Sequence, residues 1–92
     1  ERYALSQNYP NPFNPSTTIS FSLPVDESVT LNVYDITGRL VATLIEGNLS
    51  AGYHNVIWDG KDMYGSSVSA GLYIYTLQTE GVSLNRKMML MK

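Results

Sequence analysis

Ninety-two residues suffice for one domain, and a chain this short buries only about 60% of the surface its unfolded form exposes, so its core has to be efficient. Hydrophobic residues make up 43% and charged residues 15%, which excludes a disordered tail. The net charge of −2 and the pI near 5.1 leave too few Lys and Arg for a phosphate-binding face, so no nucleic-acid partner is expected.

The absence of cysteine rules out a disulfide framework and a Cys-ligated zinc, and His54 alone offers one imidazole, so neither a metal nor another cofactor is expected. No apolar run approaches the roughly 18 residues of a membrane-spanning helix. The N-terminus also lacks the basic-then-apolar order of a signal peptide. Starting at Glu1 without a methionine, the chain reads as a segment of a longer protein whose export signal lies upstream.

Residues 1–16 form an extended Pro/Asn-rich entry. Pro10, Pro12 and Pro15 forbid a helix and push Tyr9, Asn11 and Asn14 toward extended geometry, and Pro24 closes the following segment. Tyr9 and Phe13 are expected to pin this stiff segment to the domain. Residues 17–92 then read as an antiparallel sandwich. Ile19, Phe21 and Leu23 share one face of a strand against Thr18, Ser20 and Ser22 on the other. Val29, Leu31 and Val33 repeat that period up to Tyr34. Asp35-Ile36-Thr37-Gly38 supplies an acceptor side chain and a glycine for a tight turn, and Leu40 to Ile45 returns as a hairpin.

Glu46 to Gly52 is predicted as a loop. From Tyr53 to Trp58 the alternation resumes, and the face bearing His54, Val56 and Trp58 is expected to point inward over that of Tyr53, Asn55 and Ile57. Two glycines and two aspartates make Asp59 to Gly65 a turn region. Leu72 to Thr79 is strongly β-prone, with Tyr73 and Tyr75 opposite Leu72 and Ile74. Glu80-Gly81 turns the chain into a last strand from Val82 to Met91. About seven short strands with frequent turns and no helical period predict an all-β, Ig-like antiparallel sandwich.

Chemistry has few candidates. A nucleophilic enzyme needs a base with an orienting acid, and His54 sits in a strand without one, so no catalytic residue is assigned and no enzyme is expected. Asp59 and Asp62 supply two carboxylates where calcium wants 6–8 oxygens, and they read better as turn formers. Trp58 and the tyrosines raise a carbohydrate-binding reading, but a lone strand tryptophan more commonly fills the core of such a sandwich.

The last strand departs from the rest. Arg86, Lys87 and Lys92 are three of the six basic residues, and Met88, Met89 and Met91 three of the four methionines. Met88 and Leu90 share one face, Met89 and Met91 the other. Either both faces are covered or one is a recognition surface, a role methionine suits by its adaptability.

Taken in order, these motifs resemble the type A C-terminal sorting domain of the type IX (Por) secretion system over nearly the whole chain. The residues that carry the resemblance are Gln7 through Ser16, Ile19 to Phe21, Leu23-Pro24, Val33 to Asp35, Gly38 to Val41, Ala51-Gly52, His54, Val56, Trp58 to Gly60, Asp62, Gly65, Ala70 to Tyr73 and Lys87 to Lys92. The family's usual aliphatic run near the end is methionine-rich here. The resemblance implies a non-catalytic Ig-like domain that directs an N-terminal passenger of the same chain, after Sec export to the periplasm, across the outer membrane to the cell surface or the medium. Its implied partners are the outer-membrane translocon and shuttle proteins, and a sortase-like peptidase that removes the domain near the segment before Tyr9. The implied recognition residues are Gly71, Tyr73, Lys87, Met88, Met89, Leu90, Met91 and Lys92. From Tyr34-Asp35 through Trp58-Asp59-Gly60 to Gly71-Leu72-Tyr73 the chain also resembles the Ig-like domain of the flagellar hook-capping scaffold protein, which implies a structural module instead. A carbohydrate-binding appendage of a surface enzyme is the third alternative, and it requires an exposed Trp58.

Overall fold

Alternating apolar and polar side chains give a strand one dry face, and two sheets laid dry face to dry face bury all of these at once. The computed structural model, which describes residues 2–92, does this with seven strands. They are β1 (Ala4–Leu5), β2 (Thr17–Leu23), β3 (Glu27–Asp35), β4 (Leu40–Leu49), β5 (Gly52–Trp58), β6 (Gly71–Gln78) and β7 (Ser83–Leu90). One sheet has the order β1-β2-β5 and the other β4-β3-β6-β7, with every pairing antiparallel. This is the expected Ig-like sandwich.

Its core is the set of inward faces: Ile19, Phe21 and Leu23 from β2, Val29, Leu31 and Val33 from β3, Tyr73, Tyr75 and Leu77 from β6, and Met88 and Leu90 from β7. Trp58 is 1% exposed, so the inward face of β5 is the one carrying His54, Val56 and Trp58. The Trp58 ring lies 5.7 Å from Phe13 and meets Tyr73 edge-on at 5.4 Å. Such aromatic pairs contribute about 0.5–1.5 kcal/mol each beyond the area they bury.

Two sequence expectations fail locally. Glu46 to Leu49 is strand and not loop: β4 stays paired with β3 as far as Leu49 opposite Glu27. Register shifts at Leu31/Asn32 and Val33/Tyr34 break the strict alternation, and Glu46, Gly47 and Asn48 are exposed, so the ladder rather than burial holds this stretch. The entry segment is pinned, but by Phe13 and not by the Tyr9 ring, which is 81% exposed. Tyr9 is held through its main chain, where its N–H and C=O exchange bonds of 3.0 and 2.9 Å with Thr18.

The entry segment closes one side of the sandwich. On the β2 side, Ser6 N–H donates to Ser20 O (2.9 Å), and Asn8 Nδ2 reaches Thr17 Oγ1 (2.9 Å). On the β7 side, Phe13 N–H donates to Met89 O (3.0 Å), Met91 N–H to Phe13 O (2.9 Å), Met89 N–H to Asn11 Oδ1 (3.0 Å) and Gln7 Nε2 to Lys87 O (2.6 Å). From the core, Tyr75 Oη donates to Ser6 O at 2.6 Å, and burial pushes this phenol's pKa upward.

Two turns at the same end share one design. Asp35 Oδ1 accepts the N–H of Thr37 (2.9 Å) and of Arg39 (3.0 Å), while Asp62 Oδ1 accepts those of Tyr64 and Ser66 (2.9 Å each). In each loop the third residue after the aspartate is a glycine at positive φ, Gly38 at 88° and Gly65 at 85°, which a side chain would strain. Gly60 shares the positive φ, at 76°, and is fixed a second way: a Cβ there would lie 3.1 Å from Pro15 O, so the Trp58-Asp59-Gly60 turn needs glycine to sit against the entry segment.

Hydrogen bonds from the Thr37 hydroxyl and then the Arg39 N–H hold the Asp35 carboxyl below its ordinary pKa. A lowered folded-state value adds stability above the unfolded pKa of about 3.9, which is lost as pH falls through the folded value. Asp35→Asn keeps an acceptor but no charge. Its stability deficit in denaturant titrations should be full near neutrality and shrink below about pH 4; a deficit independent of pH would mean that ionisation contributes nothing. Separately, Trp58→Ala and Phe13→Ala should each cost about 3–5 kcal/mol. Native Trp58 fluorescence should be blue-shifted and move to the red on unfolding, and an emission already typical of water would refute its burial.

Candidate functional site

The residues with chemical potential are engaged in holding the fold. His54 Nε2 lies 2.7 Å from Ser50 O, and its ring stacks on Phe21 at 5.3 Å. Trp58 Nε1 donates to Lys61 O at 2.9 Å from inside the core, so this ring offers no platform for a sugar and the condition set for a carbohydrate-binding appendage is not met. Asp59 Oδ1 accepts Lys61 N–H at 3.2 Å and acts as a turn acceptor, as Asp62 does. Among the described residues no three His, Asp or Glu side chains gather as metal ligands, and no helix is long and apolar enough to cross a membrane.

The proposed recognition residues do not form one surface. Tyr73, Met88 and Leu90 are buried in the core, and Tyr73 Oη donates to Ser69 O at 2.6 Å. Gly71 starts β6 at a φ of 144° and is half-buried. Lys87 and Lys92 are exposed, Met91 is 51% exposed, and Met89 is half-buried on the outward face. The main chain of β7 at Lys87, Met89 and Met91 is already bonded to the entry segment, so the strand edge there is not free to pair with another chain.

Two concave surfaces flank the Asp35 turn. A cleft of about 560 Å³ lies between that turn and the loop after β5, lined by Asp35, Arg39, Val41, Asp62, Tyr64 and Tyr73 among others. Here Met63 N–H donates to Val41 O at 3.1 Å, docking the loop on β4. A shallower groove of about 620 Å³ crosses the outer face of the four-stranded sheet, lined by Gln7, Tyr34, Asp35, Ile74, Arg86 and Lys87 among others. Of these, the sequence reading picked out only Lys87 as a recognition residue. The available signal was β6, apolar on both faces, since an outward Leu72 and Ile74 have no core to fill.

Residues 9–82 match the family model described as the FlgD Ig-like domain. The chain is 42% identical over 55 residues to the basal-body rod modification protein FlgD of Salmonella typhimurium, a stretch that covers 60% of this chain and 23% of that protein. The crystal structure of FlgD from P. aeruginosa superposes with a TM-score of 0.63 at 34% identity, covering 82% of this chain and 59% of that one. Latent PorU from Porphyromonas gingivalis superposes with a TM-score of 0.73 at 24% identity, over 98% of this chain and 9% of that one. At that identity the likeness establishes the shared fold alone.

These findings overturn the type IX sorting-signal reading in favour of the structural alternative. The motifs behind it, from Phe13 and Trp58-Asp59-Gly60 to Tyr73, Met88 and Leu90, are core and turn residues of the sandwich, and so do not separate one Ig-like family from another. The chain spans about a quarter of the length of the curated relative it matches. With 74 of its 92 residues inside the family model, this chain belongs to the FlgD Ig-like domain family.

Proposed function

We propose that the domain is a structural, non-catalytic module of a larger extracellular assembly of the flagellar hook-capping kind. The observation that carries this reading is membership of the FlgD Ig-like family across residues 9–82. The geometry supports it. His54 Nε2 is engaged by Ser50 O, the loop aspartates hold backbone N–H groups, and the entry segment locks both sheets together. A scaffold needs this rigidity, and a surface through which to bind, more than it needs a reactive centre.

Immunogold electron microscopy of cells of the source organism, with antibodies raised against this chain, tests the proposal. Label is expected at the distal ends of growing hooks. Label scattered over the cell surface, with none on hooks, would overturn the hook-cap reading. In parallel, Lys61→Ala and His54→Gln, the second keeping a hydrogen-bonding nitrogen, should leave that labelling unchanged. Loss of labelling with either variant while the protein remains folded would point to chemistry at those side chains.

A further inference from the structure

The outer face of the four-stranded sheet changes character along its length. One row across the strands is Glu46, Thr30, Gln78 and Ser83, and a second is Thr43, Asn32, Thr76 and Asn85, both entirely polar as a wet sheet face should be. The third row is Leu40, Tyr34, Ile74 and Lys87. Beyond it Leu72 lies opposite Met89, with Ile36 just past the end of β3 and Met91 just past that of β7. Leu40 is 40% exposed and Ile36 70%. A fold that keeps two rows polar and makes the next ones apolar has localised an apolar patch, and such patches mark contact surfaces.

Charge says what kind of partner covers it. The chain carries a net charge of −2, yet Arg86 and Lys87 line this groove. Its one acid, Asp35, is engaged by its own turn and by Arg39, with Nε 3.6 Å from Oδ2. Among the described residues no carboxylate comes within ion-pair distance of Arg86 or Lys87. Arg86 stands opposite the buried Tyr75, so its side chain leaves on the core side, where Nε donates to Leu5 O at 2.8 Å, and Lys87, opposite Ile74, is the cation that the outer face presents. The β7 edge is closed at Lys87, Met89 and Met91, so at this corner a partner is read through side chains on the face and not by adding a strand to β7.

We infer that this corner of the sheet docks an acidic polypeptide segment, with an aliphatic side chain on Tyr34 and Ile74 and a carboxylate beside Lys87. The inference rests on the structural-module reading and names the chemistry of the partner such a module engages. Apolar contact at the centre supplies affinity, and Lys87, unpaired among the described residues, selects the sign of the partner.

The test titrates the isotope-labelled chain with two short blocked peptides, one alternating Val and Glu, the other alternating Val and Lys, and follows the backbone amide resonances. The Val/Glu peptide should shift Tyr34, Ile74, Lys87 and Met89, bind at least about tenfold more tightly than the Val/Lys peptide, and weaken in high salt. Lys87→Glu should reduce or reverse that preference, and Ile74→Ser should weaken both peptides. The Trp58 side-chain resonance reports that each variant is folded.

Equal binding of the two peptides, or no binding of either, would overturn the inference. So would shifts confined to the cleft beside Asp62. Concentration-dependent shifts of the same residues without peptide would assign the patch to a second copy of the chain, and overturn it too. If hook-end labelling succeeds while peptide selectivity fails, only the docking inference falls. The reverse result leaves the docking surface standing and removes the hook-cap reading.

Discussion

The structure depends on closing the gap between β2 and the outer edge of β7. The two sheets of a sandwich share a dry interior but no main-chain ladder, and β7 would present a row of free N–H and C=O groups at its margin. The Asn- and Pro-rich entry segment resolves both problems. It bonds to Thr18 and Ser20 on one side and to Lys87, Met89 and Met91 on the other, while the Phe13 ring enters the core against Trp58. Its prolines suit the position, because an outermost segment without N–H donors at Pro10, Pro12 and Pro15 offers little for another strand to continue.

That closure explains the methionine-rich last strand. Read alone, Met88 through Met91 is apolar on both faces and leaves open whether a partner or the protein covers the second. Met88 and Leu90 fill the core, the entry segment takes up the edge, and only Met89 and Met91 face outward. The outward pair adjoins Leu72, Ile74 and Tyr34 through the β6 register, so it belongs to a patch spanning several strands and not to a linear signal at the chain end.

Most of the fold was legible because its determinants are local. Alternation placed Ile19, Phe21 and Leu23 inward, and Asp35 with Gly38 announced its turn, as did Asp62 with Gly65. What escaped lacks a local pattern. Ala4–Leu5 is too short to show a period, and Glu46 to Asn48 is held by pairing while both of its faces meet water. Tyr9 has the composition of an anchor, yet it is a main-chain bridge with its ring in solvent. The groove assembles Tyr34 from β3, Ile74 from β6 and Lys87 from β7, residues that only the sheet order makes neighbours.

The same distinction accounts for the divergence between motif and function. A residue such as Gly60, whose Cβ would press on Pro15 O, or Trp58, whose Nε1 must find Lys61 O inside the core, is demanded by this sandwich whatever the sandwich is for. A chain of either Ig-like family meets the same steric and hydrogen-bonding demands, and its sequence will carry similar punctuation at similar spacing. Discrimination has to come from positions the fold leaves free. On this chain the clearest are the outward positions of β3, β6 and β7, where two rows obey the polar rule for a wet face and the next does not. An apolar side chain there adds nothing to the core, which is what marks these rows as a contact surface, and Lys87 opposite Ile74 is the charge that such a contact would read.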